Sequence, residues 1–121
     1  MMNNYKELKL WQRSVDLAVK IYETTAFFPK EEMYGLTSQI KRSAVSIPSN
    51  IAEGAGRNTK KDFNNFLGIS TGSSCELDTQ LIIANKVGFL EDTILHALQN
   101  DITEIQKMNW ALKRSLKLTN D

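Results

Sequence analysis

The sequence predicts an all-α fold, an up-down-up-down antiparallel four-helix bundle, on the basis of two observations. Apolar residues recur at three- and four-residue steps along four segments, and prolines, glycines or short polar runs separate those segments. None of the segments alternates apolar and polar residues as a half-buried strand does. A chain of 121 residues suits one domain, so we expect residues 1–121 to form a single bundle around one core.

The first helix is predicted over residues 7–25. Its apolar side chains form two rows, Leu8, Trp11, Val15, Ala18 and Tyr22 in one and Leu10, Leu17 and Ile21 in the other. Together the rows make a face wider than one neighbouring helix covers, so we expect burial on two sides. Phe27-Phe28-Pro29 ends this helix, because the residue before a proline is pushed out of helical geometry.

The second helix, over residues 36–54, carries an apolar row and a polar row side by side. The polar residues recur at steps of three and four and therefore share one face: Gln39, Ser43, Ser46, Asn50 and Glu53. A proline and two glycines lie near its end, where an ordinary core helix has none. We expect Gly54 and Gly56 to close the helix with the positive φ angles that glycine tolerates.

The third and fourth helices are predicted over residues 60–86 and 92–117. Thr59 and Asp62 resemble a capping box at the start of the third helix, and Gly88 is a candidate cap after its end. One polar row of the third helix could meet that of the second: Gly72, Ser73, Glu76 and Gln80. The predicted core row of the fourth helix is Ile94, Leu98, Ile102, Ile105, Met108, Leu112 and Leu116.

Composition excludes several classes of protein. No apolar run approaches the roughly 20 residues that cross a bilayer, and the first nine residues are too polar for a signal peptide. We therefore expect a cytoplasmic protein with no membrane partner. Cys75 is the single cysteine and His96 the single histidine, which excludes an intramolecular disulfide and a Cys-rich zinc site, and we expect no metal or cofactor.

Charge is balanced overall but not locally. The net charge is +1, whereas residues 41–61 hold five basic residues and one acid. A protein that coats nucleic acid needs many Lys and Arg against phosphates, so any such contact should use this local surplus. The candidate nucleic-acid-binding residues are Lys41, Arg57, Lys60 and Lys61, and the alternative is an ordinary solvated surface.

Several uncommon combinations then occur in a fixed order over residues 8–90. They are Leu8-x-x-Trp11, Leu17-Ala18 with Ile21-Tyr22, Phe28-Pro29-x-Glu31, Leu36-Thr37-x-Gln39, Arg42-x-Ala44-x-Ser46-Ile47-x-x-Asn50-Ile51-Ala52-Glu53-Gly54, Arg57, Phe66-Leu67, and Gly72-Ser73 with Glu76-Leu77. In these residues the chain resembles the small bacterial proteins encoded in intervening sequences of 23S ribosomal RNA genes, called S23 or four helix bundle proteins.

The resemblance implies a homo-oligomer, a ring of five subunits in relatives, with no established enzymatic activity. A related accessory protein of diversity-generating retroelements is similar in fold and binds nucleic acid and a reverse transcriptase. The resemblance also implies a shared polar site or subunit interface at the matching positions Arg42, Asn50, Glu53, Arg57, Ser73 and Glu76.

Two functions of different classes follow. The first is a non-enzymatic homo-oligomeric module, a pentamer by resemblance, that binds RNA, DNA or an RNA-processing partner. The alternative is a small-molecule or catalytic site lined by Asn50, Glu53, Arg57 and Glu76, which requires these side chains to converge while open to water. Cys75 and His96 are not expected to act as nucleophile and base, because no third residue is placed to orient them.

Overall fold

The computed structural model of the protein describes residues 4–116, and in this range it contains four α-helices and no strand. They are α1 (Lys9–Thr25), α2 (Leu36–Ala55), α3 (Lys60–Lys86) and α4 (Asp92–Leu116), with short 3-10 turns at Tyr5–Glu7 and Lys30–Glu32. Each helix packs on its neighbours in the chain, and α1 packs on α4 to close the bundle. The predicted all-α four-helix bundle is confirmed.

The helix ends follow local capping chemistry. α1 begins two residues later than predicted, because Asn4 caps the preceding 3-10 turn by accepting a hydrogen bond from the Lys6 amide (3.2 Å). At the start of α3 the hydroxyl of Thr59 accepts from the Asp62 amide (3.0 Å), as the capping box predicts. α2 continues one residue further than predicted, and the predicted end of the fourth helix at Lys117 lies outside the described residues.

One core cluster fills the bundle, and α1 contributes to it mainly the shorter of its two predicted apolar rows. Leu10, Leu17 and Ile21 are buried in the core, whereas Tyr22 is exposed and Trp11 only partly covered. Ala18 of the first row is also buried in the core and Leu8 packs against it, so this row is partly covered. α1 packs on both α2 and α4, and Tyr22 is the residue of the row that stays exposed. On α4 the core row starts at Leu95, and the predicted Ile94 is exposed.

The expectation that Gly54 and Gly56 close α2 with positive φ angles is wrong. Gly56 has a φ of −84°, and Gly88 is the one glycine of residues 4–116 with a positive φ, at 89°. Gly54 instead marks a close contact between helices. A Cβ at this position would lie 2.7 Å from the Cβ of Phe66 and 3.0 Å from the ring of Phe63, so only glycine lets α3 approach this closely.

Within residues 4–116 there is no helix that combines the length and the apolar character needed to cross a bilayer.

Candidate functional site

The polar rows of α2 and α3 meet along the seam between these two helices. The hydroxyl groups of Ser46 and Ser73 are 2.8 Å apart and form a hydrogen bond. Because the helices are antiparallel, Arg42 on α2 and Glu76 on α3 lie one turn further along the same seam. Gln39 and Gln80 follow after a second turn. The seam therefore presents three successive polar pairs, one serine pair, one pair of opposite charge and one amide pair.

The serine pair belongs to a compact hydrogen-bond network. Asn50 donates through Nδ2 to the carbonyl oxygen of Ser46 (2.8 Å) and to its hydroxyl (2.9 Å). One turn earlier on α3, the buried hydroxyl of Ser70 donates to the carbonyl oxygen of Ile47 (3.0 Å). These groups bind one another, so this part of the seam holds α2 to α3 instead of offering free polar groups.

The other two pairs line a cleft of about 370 Å³ that is open to solvent. Its residues are polar or charged: Gln39, Arg42, Ser43, Ser46, Glu76 and Gln80. The ion pairs of residues 4–116 are Lys20–Asp101 and Glu53–Arg57, so Arg42 and Glu76 face the cleft without a salt bridge. The Oε1 atom of Gln80 is buried and has no hydrogen-bond partner in the described chain.

Glu53 and Arg57 form a separate pair on the surface. The Arg57 guanidinium is 2.8 Å from the Glu53 carboxylate, and the side chains are 47% and 54% exposed respectively. The guanidinium also lies over the Phe66 ring, 4.9 Å from its centroid. Glu53 is eleven residues from Arg42, about 16 Å along α2, so the two do not share a site.

The six residues implied by the resemblance therefore divide among three places. Arg42 and Glu76 line the cleft, Asn50 and Ser73 belong to the serine network, and Glu53 and Arg57 form the surface pair. The alternative site of Asn50, Glu53, Arg57 and Glu76 does not converge on one point. The cleft residues Ser43 on α2 and Gln80 on α3 belong to the polar rows that the sequence indicates. The sequence alone does not show that they face a cavity.

The four candidate nucleic-acid contacts do not lie together. Arg57, Lys60 and Lys61 are exposed at the turn from α2 to α3. Lys41 lies fourteen residues before the end of α2, about 21 Å away along the helix. There its ammonium group sits over the Tyr22 ring, 4.7 Å from the centroid.

The bundle topology separates charge between its two ends, which no local run of the sequence reveals. One end combines residues 4–16, 46–72 and 105–116, and it holds nine Lys and Arg against four Asp and Glu, a balance of +5. We call it the basic end; its cations are Lys6, Lys9, Arg13, Arg57, Lys60, Lys61, Lys107, Lys113 and Arg114. The opposite end, residues 17–45 and 73–104, holds five Lys and Arg against nine Asp and Glu, a balance of −4.

The two tryptophans lie in different environments within the basic end. Trp110 is exposed on α4, with the guanidinium of Arg114 over its ring at 4.9 Å from the centroid. Trp11 packs against the core and meets Tyr5 edge to face, with 5.4 Å between ring centroids. An exposed indole beside several cations is a surface on which nucleic-acid bases could stack.

An apolar groove of about 390 Å³ runs along the outer face of α1 and α2. Its lining is Val15, Ala18, Val19, Tyr22, Glu23, Val45 and Pro48. Three of these side chains are well exposed, Val19 at 52%, Tyr22 at 48% and Val45 at 40%. Val15, Ala18 and Tyr22 of this groove come from the longer apolar row that the sequence predicts on α1.

Cys75 and His96 are not neighbours. Both are exposed, and the Sγ atom of Cys75 lies 3.8 Å from the Gln106 amide nitrogen. His96 is ten residues before Gln106 on α4, about 15 Å along the helix axis. Within residues 4–116 no three His, Cys, Asp or Glu side chains are grouped closely enough to hold a metal ion.

Comparisons with known proteins agree with this architecture. The chain is similar to a crystal structure of a protein of unknown function from the S23 ribosomal protein family of Bacteroides thetaiotaomicron VPI-5482. The TM-score is 0.81 and the identity 26%, over 87% of this chain and 95% of the other. No curated protein matches the sequence. The 23S rRNA-intervening sequence protein family matches residues 6–111, nearly the whole chain, and this protein belongs to that family.

Proposed function

We propose that this protein is a non-enzymatic, cytoplasmic interaction module that assembles with copies of itself and binds RNA or DNA through its basic end. The observation that carries the proposal is the separation of charge, +5 at one end of the bundle and −4 at the other. A chain with a net charge of only +1 can bind a polyanion when its cations are gathered on one surface.

The apolar groove supports self-assembly. Val19, Tyr22 and Val45 are exposed side by side on α1 and α2, and monomeric soluble proteins rarely leave large contiguous apolar patches uncovered. Covering them gains about 25 cal/mol for each Å² of apolar surface removed from water. The proposed assembly is a closed ring, and five copies is the number that the resemblance to ring-forming relatives implies.

Assembly would strengthen contact with nucleic acid. Copies related by rotation place their basic ends at equivalent positions, so one strand can contact several of them at once. Each phosphate that a Lys or Arg neutralises releases counterions. The affinity therefore rises with the number of phosphate contacts and falls as the salt concentration rises. The exposed indole of Trp110 adds a stacking surface beside these cations.

Assembly is tested by light scattering coupled to size-exclusion chromatography over a hundredfold range of protein concentration. We expect an oligomer for the wild type and dissociation when the groove is charged by Val19→Glu or Val45→Glu. Ile83→Glu is the matched control, since this side chain is 46% exposed on α3 and outside the groove. A monomer at every concentration, or equal dissociation by Ile83→Glu, would contradict the proposed assembly.

Nucleic-acid binding is tested by fluorescence anisotropy with labelled ribosomal RNA fragments and DNA of equal length, at several salt concentrations. Lys60→Gln with Lys61→Gln should weaken binding and reduce the slope of log K against log salt by about one to two, because up to two phosphate contacts are lost. Lys30→Gln with Lys86→Gln removes the same charge from the opposite end and should change little.

Two results would overturn the assignment of the basic end. One is the absence of binding at low salt, and the other is equal weakening by the two double variants. Lys41→Gln adds a finer comparison, because Lys41 lies in the half with net negative charge. We expect it to weaken binding less than Lys60→Gln does.

A further inference from the structure

The cleft between α2 and α3 has features of a binding site that the proposed function does not use. Arg42 and Glu76 lie on opposite sides of the seam, one turn beyond the bonded pair of Ser46 and Ser73. The serine pair fixes the spacing and register of the two helices at this point. The backbone positions of these two exposed residues are therefore held on either side of the cleft by helices and not by loops.

The charges of the cleft select among classes of ligand. A simple anion would be attracted by Arg42 and repelled by the Glu76 carboxylate, and a metal cation would meet the reverse arrangement. A molecule that carries both charges satisfies both groups at once, and charge-assisted hydrogen bonds of this kind are the stronger ones. The opposed pair thus favours a zwitterion and disfavours ions of one sign.

The amide groups of the cleft provide further hydrogen-bonding capacity. The buried Oε1 atom of Gln80 lacks a donor in the described chain, and a buried acceptor without a donor carries a free-energy penalty. The Nε2 atom of the same amide is not buried, so it is the end of Gln80 that can donate a hydrogen bond to a ligand carboxylate in the cleft. Gln39 and the hydroxyl of Ser43 line the same space.

We propose that this cleft binds a small zwitterion, a free amino acid or a closely related amino carboxylate, with its carboxylate on Arg42 and its ammonium group on Glu76. The volume of about 370 Å³ lies in the range of small-molecule pockets, roughly 300–1,000 Å³, and leaves room for a short side chain. Gln80 donates a hydrogen bond through Nε2 to the ligand carboxylate, and Ser46, held by Ser73, forms one end of the site.

The proposal is tested by titrating ¹⁵N-labelled protein with glycine, L-alanine, L-glutamine and γ-aminobutyrate, using acetate and methylammonium as ligands of one charge. We expect saturable shifts of the side-chain amide signals of Gln39 and Gln80 with at least one zwitterion. Acetate and methylammonium should produce no saturable shift at the same concentrations, because each leaves one charge of the cleft opposed or unpaired.

Matched substitutions identify the site. Arg42→Gln and Glu76→Gln should each weaken binding at least tenfold, since each removes one of the two charged contacts. Arg57→Gln and Glu53→Gln make the same chemical changes in the surface pair outside the cleft and should leave the dissociation constant unchanged. The amide spectrum of each variant reports that it is folded, so a loss of binding is not confused with unfolding.

Three results would overturn the proposal: no saturable shift at millimolar concentration, equal binding of acetate and glycine, or unchanged binding after Glu76→Gln. If Arg42 and Glu76 formed a direct ion pair and closed the cleft, no saturable shift would be seen. The effects of Arg42→Gln and Glu76→Gln on stability would then be non-additive. None of these results depends on assembly or on nucleic-acid binding, because the cleft is formed within one chain.

Discussion

The side of α2 that faces α3 and the side that borders the apolar groove differ in how many of their side chains find partners within residues 4–116. Toward α3, polar side chains bond to one another across a close seam, with Ser46 on Ser73 and Ser70 on a backbone carbonyl. Toward the outer face of α1, Val19 and Val45 remain exposed in an apolar groove. The bonded serines of the seam thus stabilise the bundle, whereas the valines form an apolar surface open to another molecule.

Small residues explain why the seam is close. Glycine at position 54 lets α3 approach until the Cβ of Phe66 occupies the space that a side chain would need. Serines along the rest of the seam have short side chains that reach across it. The groove has no such fitted partner within residues 4–116, so substitutions on the two sides should differ sharply in their effect on stability.

The largest effect is expected from Gly54→Ala. The added Cβ would lie 2.7 Å from the Cβ of Phe66, so the helices must separate, and overpacking of this kind costs about 1–3 kcal/mol. That loss should exceed the helix-propensity gain of up to about 1 kcal/mol from replacing glycine by alanine. Urea unfolding at fixed protein concentration measures the net fall in the free energy of unfolding.

Gly72→Ala is the matched control for this substitution. Gly72 also lies within a helix, but an added Cβ would meet nothing within 4 Å. Its free energy of unfolding should therefore rise by about 0.5–1 kcal/mol. Equal losses from the two substitutions would show that close approach at Gly54 is not what distinguishes the seam.

A loss of about 1 kcal/mol is expected from Ser70→Ala. The hydroxyl is fully buried and donates to the carbonyl oxygen of Ile47, and a typical internal hydrogen bond contributes about 0.5–1.5 kcal/mol. Ser49→Ala, at an exposed position of α2, should stay within about 0.5 kcal/mol of the wild type. Urea unfolding compares the two variants. An unchanged free energy of unfolding for Ser70→Ala would mean that this hydrogen bond does not stabilise the seam.

Substitutions in the groove should change assembly and leave the free energy of unfolding of the single chain nearly unchanged. Val45→Ser at a 40% exposed position should change the free energy of unfolding by no more than about 0.5 kcal/mol when measured at dilution in the dissociated state. It should also shift the assembly equilibrium toward monomer in light scattering. A large loss of stability in the monomer would place Val45 in the core instead.

The smallest effect is expected from Glu53→Ala. Its carboxylate pairs with Arg57 on the surface, and exposed ion pairs contribute about 0–1 kcal/mol. Chemical denaturation should show a change of about 0.5 kcal/mol or less, reduced further at high salt. A loss above about 2 kcal/mol would contradict the exposed pair and mean that the carboxylate is buried against a guanidinium.

Features encoded in adjacent residues could be predicted from the sequence. The spacing of apolar residues predicts the first three helices and the start of the fourth to within two residues, and the Thr59 cap and the Gly88 turn follow from local chemistry. The two polar rows on neighbouring helices also indicate that these rows could meet, and they do so at Ser46 and Ser73. These predictions need only the helical period and the order of the helices.

Features that depend on the relative rotation and register of helices could not be predicted in this way. The two apolar rows of α1 are equivalent in sequence, and only packing shows that Leu17 faces the core while Tyr22 faces outward. The close contact at Gly54 could not be predicted either, because Phe66 lies twelve residues further along the chain. The cleft and the basic end likewise combine residues from separate helices.

The unequal environments of Trp11 and Trp110 give the protein two distinguishable fluorophores. Trp110 is open to solvent beside Arg114, so acrylamide should quench its emission readily, whereas the packed ring of Trp11 should emit at shorter wavelength and be quenched less. A ligand that covers the basic end would protect the first without altering the second. Unfolding would change both, so one emission spectrum separates occupancy from loss of structure.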